Sequence, residues 1–127
     1  MSKRRLLVVD DDDAIREIAQ ISLQMIGGWE TLTAASGTEA ITRAAQEQPD
    51  AILLDVMMPG LDGPATLARL QDQPATRDIT VILLTAKVQP AERARFTALP
   101  GVSGVIAKPF DPEQLPGQVA DLAGWPR

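Results

Sequence analysis

Four short apolar runs recur along the chain, Leu6 to Val9, Ala51 to Leu54, Thr80 to Leu84 and Gly104 to Ala107, with helix-like segments between them. Continuous apolar runs of this length read as strands buried on both faces, as in a parallel sheet. Trp29 to Ala34 is a fifth and less apolar segment, suited to a sheet edge. In the first intervening segment Ile15, Ile18, Ala19, Met25 and Ile26 form one apolar helical face, which Gly27 and Gly28 terminate. Ser36 and Glu39 have capping-box spacing ahead of Ala40, Ile41, Ala44 and Ala45, and Pro49 closes that second helix. Asp62-Gly63-Pro64 starts a third helix with Leu67 and Leu70 facing inward, and Pro90 to Leu99 makes a short fourth. Asp111 and Pro112 read as the N-cap and first position of a fifth, which buries Leu115, Val119 and Leu122. Five strands alternating with five helices predict an open, doubly wound α/β sheet. With no repeat, linker or low-complexity tract, one domain is expected, its core running from about Leu6 to Leu122.

Composition narrows the chemistry. The chain has 127 residues, a hydrophobic content of 45% and a net charge of -5, which suits one globular core and gives no general electrostatic attraction to nucleic acid or anionic membrane. The small basic cluster Lys3-Arg4-Arg5 does not reverse that balance. No apolar run reaches the length of a membrane span and the first residues lack a signal-like stretch, so a cytoplasmic location is expected. Cysteine and histidine are both absent. That excludes a disulfide framework, a Cys nucleophile, a His base and a Cys/His zinc site. Any metal must be held by oxygen, which favours magnesium, manganese or calcium.

Each strongly apolar strand ends in a residue with a chemical use: Asp10, Asp55, Thr85 and Lys108. The carboxyl ends of parallel strands lie along one edge of an open sheet, where ligands bind. Asp10 begins a run of four aspartates, Asp10 to Asp13. Two like charges about 4 Å apart repel by roughly 4 kcal/mol at a surface-like effective dielectric constant of about 20, so such a gathering recruits a cation or spreads into solvent. Asp12 and Asp13 read as the start of the first helix, Asp10 and Asp11 as a cation-binding pair. Taken singly, Asp55 reads as an exposed strand-end acid, Lys108 as a solvated lysine and Thr85 as a β-branched strand residue. Together they form a phosphoryl-transfer set. A carboxylate attacks phosphorus, and magnesium, a lysine ammonium and a hydroxyl neutralise the transferring group. Pro109, just past the lysine, is a candidate cis proline.

The motifs Leu-Val-Val-Asp-Asp-Asp at 7 to 12, Leu-Leu-Asp-Val-Met-Met-Pro-Gly-Leu-Asp-Gly at 53 to 63, Leu-Leu-Thr-Ala at 83 to 86 and Lys-Pro-Phe at 108 to 110 resemble the receiver domain of two-component response regulators, of the single-domain chemotaxis-regulator type. The resemblance implies a flavodoxin-like, five-stranded parallel sheet of order 2-1-3-4-5 with helices on both faces. It implies that Asp55 is the phosphoacceptor, that Asp10, Asp11 and Asp55 with the backbone carbonyl of Met57 hold Mg2+, with Mn2+ as a substitute, and that Thr85 and Lys108 contact the phosphoryl group. It further implies a histidine kinase or histidine phosphotransfer protein as donor, self-catalysed phosphorylation without turnover of an external substrate, and a downstream protein partner of unknown identity.

Three positions depart from the family pattern. Val105 stands where a Tyr or Phe often turns inward on activation, Pro116 falls near the start of the fifth helix, and Lys87 adds a charge two residues beyond Thr85. Nothing after Leu122 resembles an output domain, so a stand-alone receiver, monomeric or weakly dimeric and without nucleic-acid contact, is the expectation. Two other readings compete with it. A magnesium-dependent phosphohydrolase with a first-strand nucleophile would use Asp12 as its second acid, yet it leaves Asp55 unexplained. A degenerate receiver acting as a docking module is at odds with the intact Asp, Thr and Lys set.

Overall fold

Alternation along the buried strands decides the layering, because successive side chains leave a strand on opposite faces. In the computed structural model, which describes residues 3–86 and 89–126, Leu6 and Val8 join the core on one side of the sheet and Leu7 and Val9 the core on the other. The elements run β1 (Arg5–Val9), α1 (Asp13–Met25), β2 (Glu30–Ala34), α2 (Gly37–Glu47), β3 (Ala51–Asp55), α3 (Gly63–Asp72), β4 (Thr80–Thr85), α4 (Pro90–Thr97), β5 (Val102–Ala107) and α5 (Leu115–Ala123). All four strand pairings are parallel, and the order is β2-β1-β3-β4-β5. The expected doubly wound sheet and its order are therefore observed, with the Glu30–Ala34 strand at an edge. One core packs α1 and α5 onto the sheet through Ala19, Leu23, Leu115 and Val119; the other packs α2, α3 and α4 through Ala40, Ala44, Leu67, Leu70 and Phe96.

Local signals set the helix starts. The Asp12 carboxylate caps α1 by accepting from the backbone N–H of Ala14 and Ile15. Ser36 Oγ accepts from Glu39 N–H at 3.1 Å, while the Glu39 carboxylate reaches back to Ala35 N–H at 3.2 Å, one residue earlier than a strict capping box requires. Asp62 caps α3 through Ala65 N–H at 2.9 Å.

Two helices differ from the expectation. The inward side of α1 is Ala19, Ser22 and Leu23, while Ile18, Met25 and Ile26 are 45%, 80% and 57% exposed. Hydrophobic periodicity passed over Ser22, whose hydroxyl donates to the carbonyl of Pro112 and is buried by that contact. The fifth helix begins at Leu115 rather than at Pro112. Pro116 explains both facts. In a helix continuous from Pro112, residue 116 would donate to the Pro112 carbonyl, but proline has no N–H. The segment before Leu115 therefore stays a turn, with Gln114 and Leu115 N–H both on the Asp111 carbonyl, and Ser22 takes the carbonyl left over. Pro116 itself lies at the second helical position, where a missing donor costs nothing, so it starts α5 and does not bend it. Leu115 and Val119 are fully buried as expected, with Leu122 only partly so.

At the amino end of the sheet Trp29 meets Trp125 edge to face, with ring centroids 5.3 Å apart, and the Arg4 guanidinium lies 5.1 Å from the Trp125 ring. At the carboxyl end the chain after β3 doubles back, with Gly63 N–H on the Val56 carbonyl at 2.9 Å. A Cβ at Gly63 would stand 2.7 Å from the backbone oxygen of Asp55 and 2.7 Å from Val56 Cα, and neither backbone atom can yield cheaply. Gly63→Ala is expected to cost about 2 kcal/mol by overpacking, read from urea unfolding with an unchanged m-value. A cost under about 0.5 kcal/mol would show that the loop yields freely.

Candidate functional site

Strand parity builds the site. Asp10, Asp55 and Lys108 each stand two residues beyond a member of the α1/α5-side core, namely Val8, Leu53 and Ile106, so their side chains leave the sheet on that same side. Ladder hydrogen bonds continue past the strand ends and fix the backbone there: Asp10 N–H donates to Ala34 O at 3.2 Å, Val56 N–H to Leu84 O at 3.0 Å and Lys108 N–H to Thr85 O at 2.9 Å. The Lys108–Pro109 peptide is cis.

The three side chains meet. Lys108 Nζ is 3.1 Å from Asp10 Oδ2 and 3.1 Å from Asp55 Oδ1. Asp10 and Asp55 are almost fully buried, at 0% and 2% exposure, whereas Asp11 is exposed. Asp10 Oδ1 accepts the N–H of Asp12 at 2.9 Å. Asp10 Oδ2 faces Lys108 Nζ across the ion pair and has no other partner among the described residues.

One ammonium faces two buried carboxylates, and the balance shows in the titration of Asp55. Burial pushes its carboxyl above the ordinary value and the Asp10 charge pushes it further, against the opposing pull of Lys108 and of Met57 N–H. Burial also works against the Lys108 ammonium, but the hydrogen bonds it donates to Asp10 and Asp55, with their negative charges, outweigh it and hold the group above its ordinary value.

Asp10, Asp11 and Asp55 each offer a carboxylate oxygen, all within 4.8 Å of one another. With Asp10 Oδ2 partnered by the shared lysine alone, this all-oxygen donor set fits a small hard cation such as Mg2+. Met57 lies in the loop just after β3, its side chain 60% exposed. Thr85 is fully buried at the end of β4, one residue beyond the Leu84 that pairs with Asp55. It has the parity of Leu83, in the other core, so alternation turns its side chain toward the α2–α4 side, away from the acids. Of the sequence-predicted set, Asp10, Asp11, Asp55 and Lys108 converge, and Thr85 is buried at the end of the neighbouring strand with the opposite parity. Val105 is buried in the α2–α4-side core, and Lys87 lies outside the described residues. Asp12 serves as a helix cap rather than as a member of the acidic cluster. Sequence reasoning missed Arg16, which donates to the backbone carbonyl of Asp10 at 2.9 Å and to the Asp13 carboxylate. Its only sequence signal is a cation three residues after Asp13 on a capped helix.

The family model for the response regulator receiver domain matches residues 6–120. The chain belongs to that family, whose members are signalling modules. It is 40% identical over 122 residues to the "Probable transcriptional regulator ycf27" of Cyanophora paradoxa, covering 96% of this chain and 49% of the relative. It is likewise 40% identical over 118 residues to the response regulator PleD of Caulobacter vibrioides, covering 93% of this chain and 26% of PleD. The chain thus spans about half the length, or less, of these curated relatives. The chemotaxis response regulator CheY4 of Vibrio cholerae superposes with a TM-score of 0.87 at 30% identity, covering 95% of this chain and 99% of that one. Among the described residues no helix is long and apolar enough to cross a membrane.

Because burial raises the Asp55 pKa, the stability this group contributes is present below its unfolded pKa and lost as pH rises through the folded one. Without divalent cations Asp55→Asn is therefore expected to melt several degrees higher than the parent at pH 7, and the gap should close as the pH falls toward the folded pKa of Asp55. Thermal unfolding by circular dichroism across that range checks the sign, and an Asn variant less stable at pH 7 would reverse it.

Proposed function

We propose that Asp55 accepts a phosphoryl group and that the acceptor reaction depends on magnesium. The observation that carries this reading is a buried aspartate paired with a lysine and a second buried aspartate at the carboxyl edge of the sheet. A carboxylate oxygen of Asp55 attacks phosphorus, the bond from phosphorus to the donor breaks with its electron pair leaving on the donor, and an acyl phosphate results. Lys108 moves with the developing charge, from its pairing with Asp55 to a phosphoryl oxygen, and keeps Asp10 as its second partner. Asp10, Asp11, Asp55 and the Met57 carbonyl are the ligands assigned to Mg2+, which when bound supplies two positive charges against the phosphoryl oxygens. Thr85 is assigned to a phosphoryl oxygen once the site is phosphorylated. Its parity means that this contact requires a shift at the end of β4, and such a shift is a route from the site to the surface around α4, β5 and α5.

The donor in this reading is a histidine kinase or a histidine phosphotransfer protein in the cytoplasm, and the output is contact with a downstream protein. Beside the site, Ile15, Ile18, Pro109, Phe110 and Pro112 line an apolar depression of 160 Å³ that Lys108 also borders. Ile18 is 45% exposed on its rim. A donor that delivers phosphorus to Asp55 covers this surface, which assigns it to donor docking.

Incubation with acetyl phosphate and Mg2+ is expected to add one phosphoryl group by intact mass, and the adduct should disappear in Asp55→Asn. An unmodified parent, or an undiminished adduct in the variant, would defeat the assignment. Ile18→Glu should slow transfer from a phosphorylated protein donor by about tenfold, as expected for loss of an apolar contact worth about 1.4 kcal/mol, and leave the acetyl phosphate reaction intact. Equal rates from the protein donor in both forms would place docking elsewhere.

A further inference from the structure

We propose that Arg16 is a positioning residue for the metal site: its guanidinium fixes the peptide plane between Asp10 and Asp11 and so aims the Asp11 carboxylate. The inference rests on the reading of Asp10 and Asp11 as magnesium ligands.

The Asp10 side chain is held directly, through Asp12 N–H and Lys108. Asp11 is not held in that way. It is exposed, and its carboxylate has no hydrogen-bond or ion-pair partner among the described residues, so within this structure only its backbone limits where the carboxylate can reach. The peptide joining Asp10 to Asp11 carries the Asp10 carbonyl, and that carbonyl accepts from Arg16 Nη1 at 2.9 Å. The other arm of the same guanidinium pairs with Asp13, in the first turn of α1. The Arg16 side chain is only 20% exposed. Asp10 N–H is meanwhile tied to Ala34 on β2. The residue is thus gripped from both sides, by the sheet through its N–H and by α1 through its C=O. A planar guanidinium with donors on two arms can bridge a carbonyl and a carboxylate in this fixed relation, where a lysine ammonium places a single point charge.

Electrostatics and positioning make opposite demands, which separates them. A fixed positive charge beside a cation site repels the cation, so on Coulomb grounds alone removal of Arg16 would tighten Mg2+ binding. Positioning requires that removal loosen it.

Calorimetric titration with Mg2+ of the parent, Arg16→Ala, Arg16→Lys and Ser22→Ala, alongside melting temperatures without metal, decides the matter. Arg16→Ala is expected to bind Mg2+ about tenfold more weakly, the scale seen when a partner behind a metal ligand is lost. Arg16→Lys should recover only part of that loss. Ser22→Ala removes a buried hydrogen bond of the same helix without touching the acidic loop. It is expected to lower the melting temperature and keep affinity within about twofold of the parent, as sites with no shared partner do. Unchanged or tighter binding by Arg16→Ala, full recovery by Arg16→Lys, or an equal loss in Ser22→Ala would each overturn the role given to Arg16. Saturable binding by the parent would leave the metal-site reading standing in all three cases. A parent that binds no Mg2+ overturns that reading and the inference with it.

Discussion

The ion pair from Lys108 to both Asp10 and Asp55 is the constraint around which the rest of the molecule is arranged. Its members come from three different strands, and a buried charge without a partner costs several kcal/mol. The sheet must therefore bring β1, β3 and β5 to one edge with matching parity. It does so with fully buried Leu, Ile and Val runs whose burial is worth about 1.5–3 kcal/mol per side chain. The apolar framework in turn holds the polar cluster in place. A single ammonium between two carboxylates still leaves the cluster one positive charge short, and the raised Asp55 carboxyl and an Asp10 Oδ2 that has only the shared lysine are the signs of it. The deficit makes the site receptive to a cation.

Helix α1 is tied to the segments that follow β1 and β5. Near its start Arg16 grips the loop after β1, and two turns on Ser22 grips the loop after β5. The second contact exists because Pro116 leaves the Pro112 carbonyl without its helical donor. A proline in one helix thus fixes what a serine in another has to do. The outward face of the same helix keeps Ile18, Ile21, Met25 and Ile26 in solvent, so α1 combines a polar structural role inside with an apolar surface outside.

The strands were legible because each is an unbroken apolar run that polar residues bound, and the strand-end residues followed from where those runs stop. Parity also made the convergence of Asp10, Asp55 and Lys108 readable in principle, since Val8, Leu53 and Ile106 precede them by two. The inward face of α1 was not legible. Its packing uses small residues, Ala19 and Ser22, and periodicity weighted the larger Ile18 and Met25, which lie outside. The start of α5 failed for a related reason: Asp111-Pro112 is a sound helix-start signal, but Pro116 four residues on vetoes the bond that signal requires. Arg16 left only its spacing from Asp13 as a signal, because its partner at the site is a backbone carbonyl, and a carbonyl has no side-chain signature. Family resemblance supplied what pattern alone did not, the strand order.

The tryptophan pair lies at the other end of the sheet from the acids. Trp29 precedes β2 and Trp125 follows α5, so their edge-to-face contact closes the amino edge, while Asp10, Asp55 and Lys108 occupy the carboxyl edge about 16 Å away along a five-residue strand. These are the chain's two indoles. Its intrinsic fluorescence is in consequence a gauge of whether the end of α5 remains docked against the segment between α1 and β2. It is insulated by distance from charge rearrangement among the acids, and gives a spectroscopic view of the scaffold separate from the site it supports.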